Sequence, residues 1–199
     1  MATRSAQTAA DEFVTLIHDD ADAARAELER SPGLAHAAAG WGETALEAAS
    51  HLGHRRLLAA LIEAGEAADI FAACAMADMK AVRALWHFTR PDVLGVHRLP
   101  LLHFAVMSRD PAMLDMLLDA GVALHPRGAS LSPLHSAVAI GSVPMIRALM
   151  EAGVDRTVTD AFGATALDWA YDVEDKGSIL AVFLSGYLRR ATEDLPTAG

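Results

Sequence analysis

The sequence predicts an all-α fold of about six helix–turn–helix units stacked side by side. Three observations predict it. The first is the stretch from Gly42 to Gly65, which reads as a short helix, a tight turn and a second helix. Thr44 stands where an N-cap would stand, and Leu46, Ala49 and Ser50 follow at helical spacing. Gly53 can take the positive φ that a helix C-terminus often needs. Leu57, Leu58, Leu61 and Ile62 line one face of the second helix, which Gly65 ends. The second observation is recurrence. Leu101–Ala105 leads to Leu117–Gly121, Ser132–Ala137 leads to Leu149–Gly153, and Gly163–Asp168 opens one more copy. The third is the period: Leu134 minus Leu102 is 32, and Leu167 minus Leu134 is 33.

A period near 33 with a Thr-Pro-Leu-His-like opening and a Leu-Leu-x-x-Gly ending resembles the ankyrin repeat, over roughly residues 12–188. The resemblance implies an ankyrin-repeat solenoid. Its hollow face would be built from β-hairpin "fingers" and the exposed side of each first helix. It leaves the task of the array to its surface residues.

Taken in order, residues 1–10 read as a disordered leader, 11–190 as a single repeat domain and 191–199 as a flexible tail. The repeats fall near 11–38, 39–68, 69–94, 95–126, 127–159 and 160–190. Asp11 can cap a first helix carrying Phe13, Val14, Leu16 and Ile17. A turn at Asp19-Asp20 follows, and Ser31-Pro32-Gly33 stops the second helix. This degenerate unit reads as the N-terminal cap. Leu46 to Ile70 spans only 24 residues, so one finger is missing between repeats two and three. Repeat three puts Phe71 at the motif histidine position, packs Val82, Leu85 and Trp86 on its second helix, and breaks at Arg90-Pro91-Asp92. An offset of 56 relates Leu46 to Leu102 and Gly65 to Gly121, which suggests a duplicated double repeat. Pro111 and Pro144 open their second helices, where a missing N–H costs little. A charged turn over 172–177 and a last helix carrying Ile179, Leu180, Phe183, Leu184 and Tyr187 are expected in repeat six.

The formal charge of −10 disfavours nucleic-acid binding, because an acidic surface repels phosphates. The 53% hydrophobic content is rich in alanine, which closely stacked helices need, and no run is long enough to span a membrane. The lone Cys74 excludes an internal disulfide and suits a reducing, cytoplasmic setting. No P-loop, zinc-helix or nucleophile-elbow motif occurs, so no cofactor is expected.

His103 and His135 occupy the motif histidine position. The resemblance implies that their imidazoles bond the neighbouring backbone and the Thr or Ser two or three residues earlier. Glu47 and Asp168 stand at the same place in repeats two and six and can accept the same bond. His51 and His54 have a ligand-like spacing, but Gly53 breaks the helix between them and no third ligand lies nearby in sequence. No metal site is expected from them. Cys74 reads as a small core residue.

The resemblance assigns the binding groove to Trp41, Glu43, His51, Leu52, Met76, His97, Leu99, Met107, Leu131, Ile140, Phe162 and Asp172. The apolar members of this set would form an exposed stripe, which usually marks a binding surface. The leading expectation is a protein-binding module whose groove takes an apolar segment of an unknown partner. The alternative is a small-molecule binder, or a proton-transfer enzyme of isomerase or cyclase type. It would use a pocket left by the missing finger, with Glu43, His51, His97 and Asp172 as its polar groups. A third expectation is a subunit that dimerises through the groove.

Overall fold

The computed structural model describes residues 2–172. Its helices pair in sequence: α1 (Ala2–Asp19) with α2 (Ala21–Arg30), α3 (Ala45–Leu52) with α4 (Arg55–Glu63), and α5 (Ile70–Ala75) with α6 (Met79–Trp86). The pairs α7 (Leu101–Met107) with α8 (Pro111–Asp119), and α9 (Pro133–Ala139) with α10 (Val143–Glu151), follow, and α11 (Ala166–Asp172) opens the last unit. Each first helix packs on the next, from α1 through α3, α5, α7 and α9 to α11. In the second-helix row α2 packs on α4 and α8 on α10. The expected last helix and the charged turn after Asp172 lie outside the described residues.

Local chemistry sets the ends. Asp20, Asp69, Asp78 and Asp110 each accept backbone N–H bonds from the first turn of the following helix, as N-caps do. Thr44 and Glu47 form a reciprocal capping box at α3. Pro111 and Pro133 take first-turn positions that need no donor.

Repeat one departs from expectation. Helix α1 starts at Ala2, so Asp11 is not its cap and residues 2–10 are not a disordered leader. Asp11 instead accepts the Gly40 N–H at 2.7 Å, and Gln7 Nε2 donates to the Ala38 carbonyl at 3.1 Å. The long helix is held because its polar side reaches the finger of repeat two.

The fingers are single antiparallel bridges, Ala38 to Thr44, Leu94 to Pro100 and Thr159 to Thr165. The first two are related by the offset of 56 residues seen in the sequence, 94 − 38 and 100 − 44. Residues 64–69 run from α4 into α5 with no such bridge, so repeat three lacks its finger. With no finger between them there, α3 also reaches α7 past the short α5.

The core divides at α5. Ile70, Ala73 and Cys74 join the larger cluster, which extends through Leu102, Phe104 and Leu134 to Ala170. Ala72 and Ala75 join the N-terminal cluster with Phe13, Val14, Ile17 and Leu58. Small side chains on two sides of a six-residue helix let three repeats approach it closely. Cys74 is fully buried, and burial, with a smaller push from Asp69, drives its thiol up to about 12. Ellman's reagent should therefore leave the native protein unlabelled and react fully once guanidinium unfolds it. Rapid native labelling would refute this placement of α5.

Candidate functional site

The site forms around one buried carboxylate. Glu43 ends the finger of repeat two, where Gly42 takes φ +93° and the Ala39 N–H bonds the Glu43 carbonyl at 2.8 Å. A side chain at residue 42 would meet the left-handed penalty, so this tight turn favours glycine. The capping box at Thr44 then locks the start of α3, and Glu43 is left 3% exposed.

Four N–H groups converge on that carboxylate. Oε2 faces His18 Nε2 and Trp41 Nε1, each at 3.1 Å. Oε1 faces His51 Nε2 at 3.0 Å and His97 Nε2 at 3.1 Å. His18 comes from the last turn of α1 and His51 from the last turn of α3. His97 comes from the finger that precedes α7. The three imidazoles form a run, with ring centroids 5.2 Å apart for His18 and His51 and 5.1 Å for His51 and His97. Ligand-type atoms of His18, Glu43 and His51 all lie within 4.8 Å of one another.

His97 reaches Glu43 across 54 residues of sequence because repeat three has no finger to stand in the way. Its finger tip is unusual: His97 and Arg98 both take positive φ, 55° and 59°. Such backbone in non-glycine residues costs about 1–3 kcal/mol and persists where the surroundings over-determine it. A second tie holds the same elements together. The His103 Nε2–H donates to the His51 carbonyl at 2.8 Å, while its Nδ1 accepts from the Ser136 hydroxyl at 2.7 Å.

The electrostatics follow from burial. Burial pushes the Glu43 carboxyl up, but the hydrogen bonds from Trp41, His18 and His97 outweigh it and hold the carboxyl below its ordinary range. Burial lowers the His51 imidazole to about 4, against the opposing pull of Glu43. Burial lowers His103 to about 4 as well. A carboxylate beside an uncharged imidazole is a donor set that can hold a cation.

Of the residues assigned to the groove, the fold brings Trp41, Glu43, His51 and His97 together. Leu99 is not exposed: it is the residue closing the finger of repeat four, and it packs into the core. Leu52 and Met76 are half-buried on the N-terminal core, and Leu131 and Ile140 on the larger one. Met107 is half-buried, and Asp172 ends the described chain. The apolar stripe therefore narrows to two free aromatics on finger turns, Trp41 at 55% exposure and Phe162 at 95%.

His18 is the member that sequence reasoning missed. It lies in the cap repeat, where the repeat pattern assigns no groove position, and it is 25 residues from Glu43. Its only local signal is a lone imidazole in the last turn of α1. His54, considered with His51 for its spacing, instead hydrogen-bonds the backbone of Ile17. The motif positions behave as the resemblance implies in repeats two, five and six. Glu47 accepts from Thr44, His135 Nδ1 accepts from the Ser132 N–H at 3.2 Å, and Asp168 accepts from Thr165. In repeat four Pro100 offers no donor, so His103 turns to Ser136.

Two clefts, of about 580 Å³ (Leu28, Arg56, Ala60) and about 320 Å³ (Val82, Trp86, Met116), lie between second helices. Neither includes Glu43, so neither is the expected pocket under the missing finger. No helix among the described residues is long and apolar enough to cross a membrane.

Comparison with known proteins agrees with the fold. The family model for ankyrin repeats (3 copies) matches residues 102–184. Over 106 residues the chain is 31% identical to "Zygote-specific protein 3" of Chlamydomonas reinhardtii. The match covers 53% of this chain and 28% of that protein. With helix pairs, finger turns and a 33-residue period in one stack, the chain carries ankyrin repeats over residues 102–184, and the described helix pairs before them stack in the same all-α solenoid.

Proposed function

We propose that the chain is a protein-binding module that holds an apolar segment of a partner against its finger-and-first-helix face. Ankyrin repeats mark a protein-interaction module. The observation that supports this face in particular is Phe162, a large apolar side chain held 95% exposed on a finger turn. The Asp160 carboxylate rigidifies that turn by accepting the Phe162 and Ala164 N–H groups, both at 2.9 Å. A rigid turn presenting a bare aromatic has no folding role and suits an anchor for a partner pocket. Trp41 is the second anchor, its indole N–H engaged by Glu43 and its ring left half in water.

The test compares Phe162→Ala, Trp41→Ala and Phe88→Ala in one capture experiment, and a photo-crosslinkable phenylalanine at 162 or 88 of the otherwise unchanged chain marks which face the captured proteins touch. Phe88 is 89% exposed just past the end of second helix α6, outside the proposed face. Phe162→Ala should leave stability within about 0.5 kcal/mol of wild type, whereas Trp41→Ala also removes a donor from the buried Glu43 carboxylate and should cost about 1–3 kcal/mol. Both should remove proteins that Phe88→Ala retains. Identical capture by all three variants would reject this face as the binding surface.

A further inference from the structure

We propose that His18, Glu43, His51 and His97 form a binding site for a divalent transition metal of the zinc class, which ties repeats one, two and four together. Three imidazole Nε2 atoms and a carboxylate converge from three separate parts of the chain, with Glu43 3.0–3.1 Å from each imidazole. A metal with bonds of about 2.0–2.1 Å to nitrogen and oxygen places neighbouring tetrahedral ligands about 3.3 Å apart. The separations of Glu43 from the imidazoles are within about 0.3 Å of that spacing, while the ligand atoms of His18, Glu43 and His51 lie within 4.8 Å of one another and must draw together around an ion. Imidazole with carboxylate suits zinc, cobalt, nickel and iron, whereas calcium and magnesium take oxygen ligands.

The surroundings have the features of a supported site. Glu43 is almost wholly buried, and its Oε2, the oxygen that faces His18, is also held by the Trp41 N–H. A carboxylate ligand held by a further hydrogen bond is a usual outer-shell arrangement. His51 is fixed through its own carbonyl by His103, which Ser136 orients in turn. His97 is half exposed and sits on left-handed backbone, so ion entry needs only that finger tip to move. His18, Glu43 and His51 are the inner set, and His97, which meets Glu43 Oε1 at 3.1 Å from the facing finger, is the fourth ligand. On metal binding each imidazole would present an unprotonated Nε2, its proton moving to Nδ1, and the metal would replace three N–H···O bonds.

The test uses the untagged full chain, dialysed against chelator and then titrated with Zn(II) or Co(II). Metal content by mass spectrometry should saturate at one ion per chain. The cobalt form should show the visible absorption of a low-symmetry nitrogen–oxygen site, and zinc should raise the thermal midpoint. Glu43→Gln and His51→Gln should each weaken binding by about 100-fold or more, and Trp41→Phe, which removes only the outer hydrogen bond, by about 10-fold. His97→Gln, at an exposed position that folding tolerates, should also weaken it by about 10-fold or more, while His87→Gln changes nothing. A carboxylate network that only hydrogen-bonds would take up no saturating metal. That result, or binding equal in wild type, Glu43→Gln and His97→Gln, overturns the assignment. Neither outcome bears on Phe162, so this proposal and the protein-binding one fail separately.

Discussion

Replacing Phe104 by alanine should cost about 4 kcal/mol in urea unfolding, the range expected for emptying a buried phenylalanine site. The ring is 1% exposed and packs against Phe71 at 4.8 Å between centroids and edge-on to His103 at 5.2 Å. It also fills the space where Gly95 lacks a side chain. A Cβ built on Gly95 would lie 2.7 Å from Phe104 Cζ and 3.1 Å from Phe71 Cδ1. Gly95→Ala alone should therefore overpack the site, at about 2 kcal/mol. In the Phe104→Ala background the new methyl enters vacated space. The double variant should be more stable than the sum of the singles by at least about 1 kcal/mol. Additive costs would mean that the finger and α7 do not meet as described. The finger matters because its closing bond, from the Gly95 N–H to the Leu99 carbonyl, carries His97 on the turn.

Gly53→Ala should cost about 3 kcal/mol, from a left-handed backbone and a backbone clash together. Gly53 caps α3 at φ +71°, and an added Cβ would sit 2.6 Å from the Met107 carbonyl oxygen and 3.2 Å from its carbon. A carbonyl cannot rotate away as a flexible side chain can, so α3 and α7 would have to part. Gly121→Ala is the matched control. It has φ +78° but nothing within 4 Å of the added carbon, so it should show only the backbone cost of about 1 kcal/mol. The difference between the two variants measures the contact between repeats two and four. Equal losses would show that no such contact exists in solution. Separating α3 from α7 would also stretch the His103 bond to the His51 carbonyl, so Gly53→Ala should weaken metal uptake along with stability.

Much of the helix order was legible because its causes are local. Thr44 as an N-cap and the prolines at 111 and 144 each satisfy or remove an orphan donor within one turn. The missing finger was legible as well, since a deletion changes the spacing whatever the side chains do. Helix α1 was misjudged over residues 2–10, because Gln7 and Asp11 find their partners about thirty residues away at Ala38 and Gly40. Leu99 was misjudged for a different reason. Finger residues alternate between water and core, and the closure of that turn, not its composition, decides which way each one faces.

Sequence alone determined the repeat, the all-α stack and the gap between repeats two and three, because these rest on period, caps and chain length. Only the tertiary structure decided what the gap does. It brings α3 onto α7 and lets His97 meet Glu43 beside His18 and His51, a convergence of residues up to 79 positions apart (97 − 18). No spacing rule encodes that meeting, since the energy of four N–H groups around one buried carboxylate exists only once three repeats have been packed.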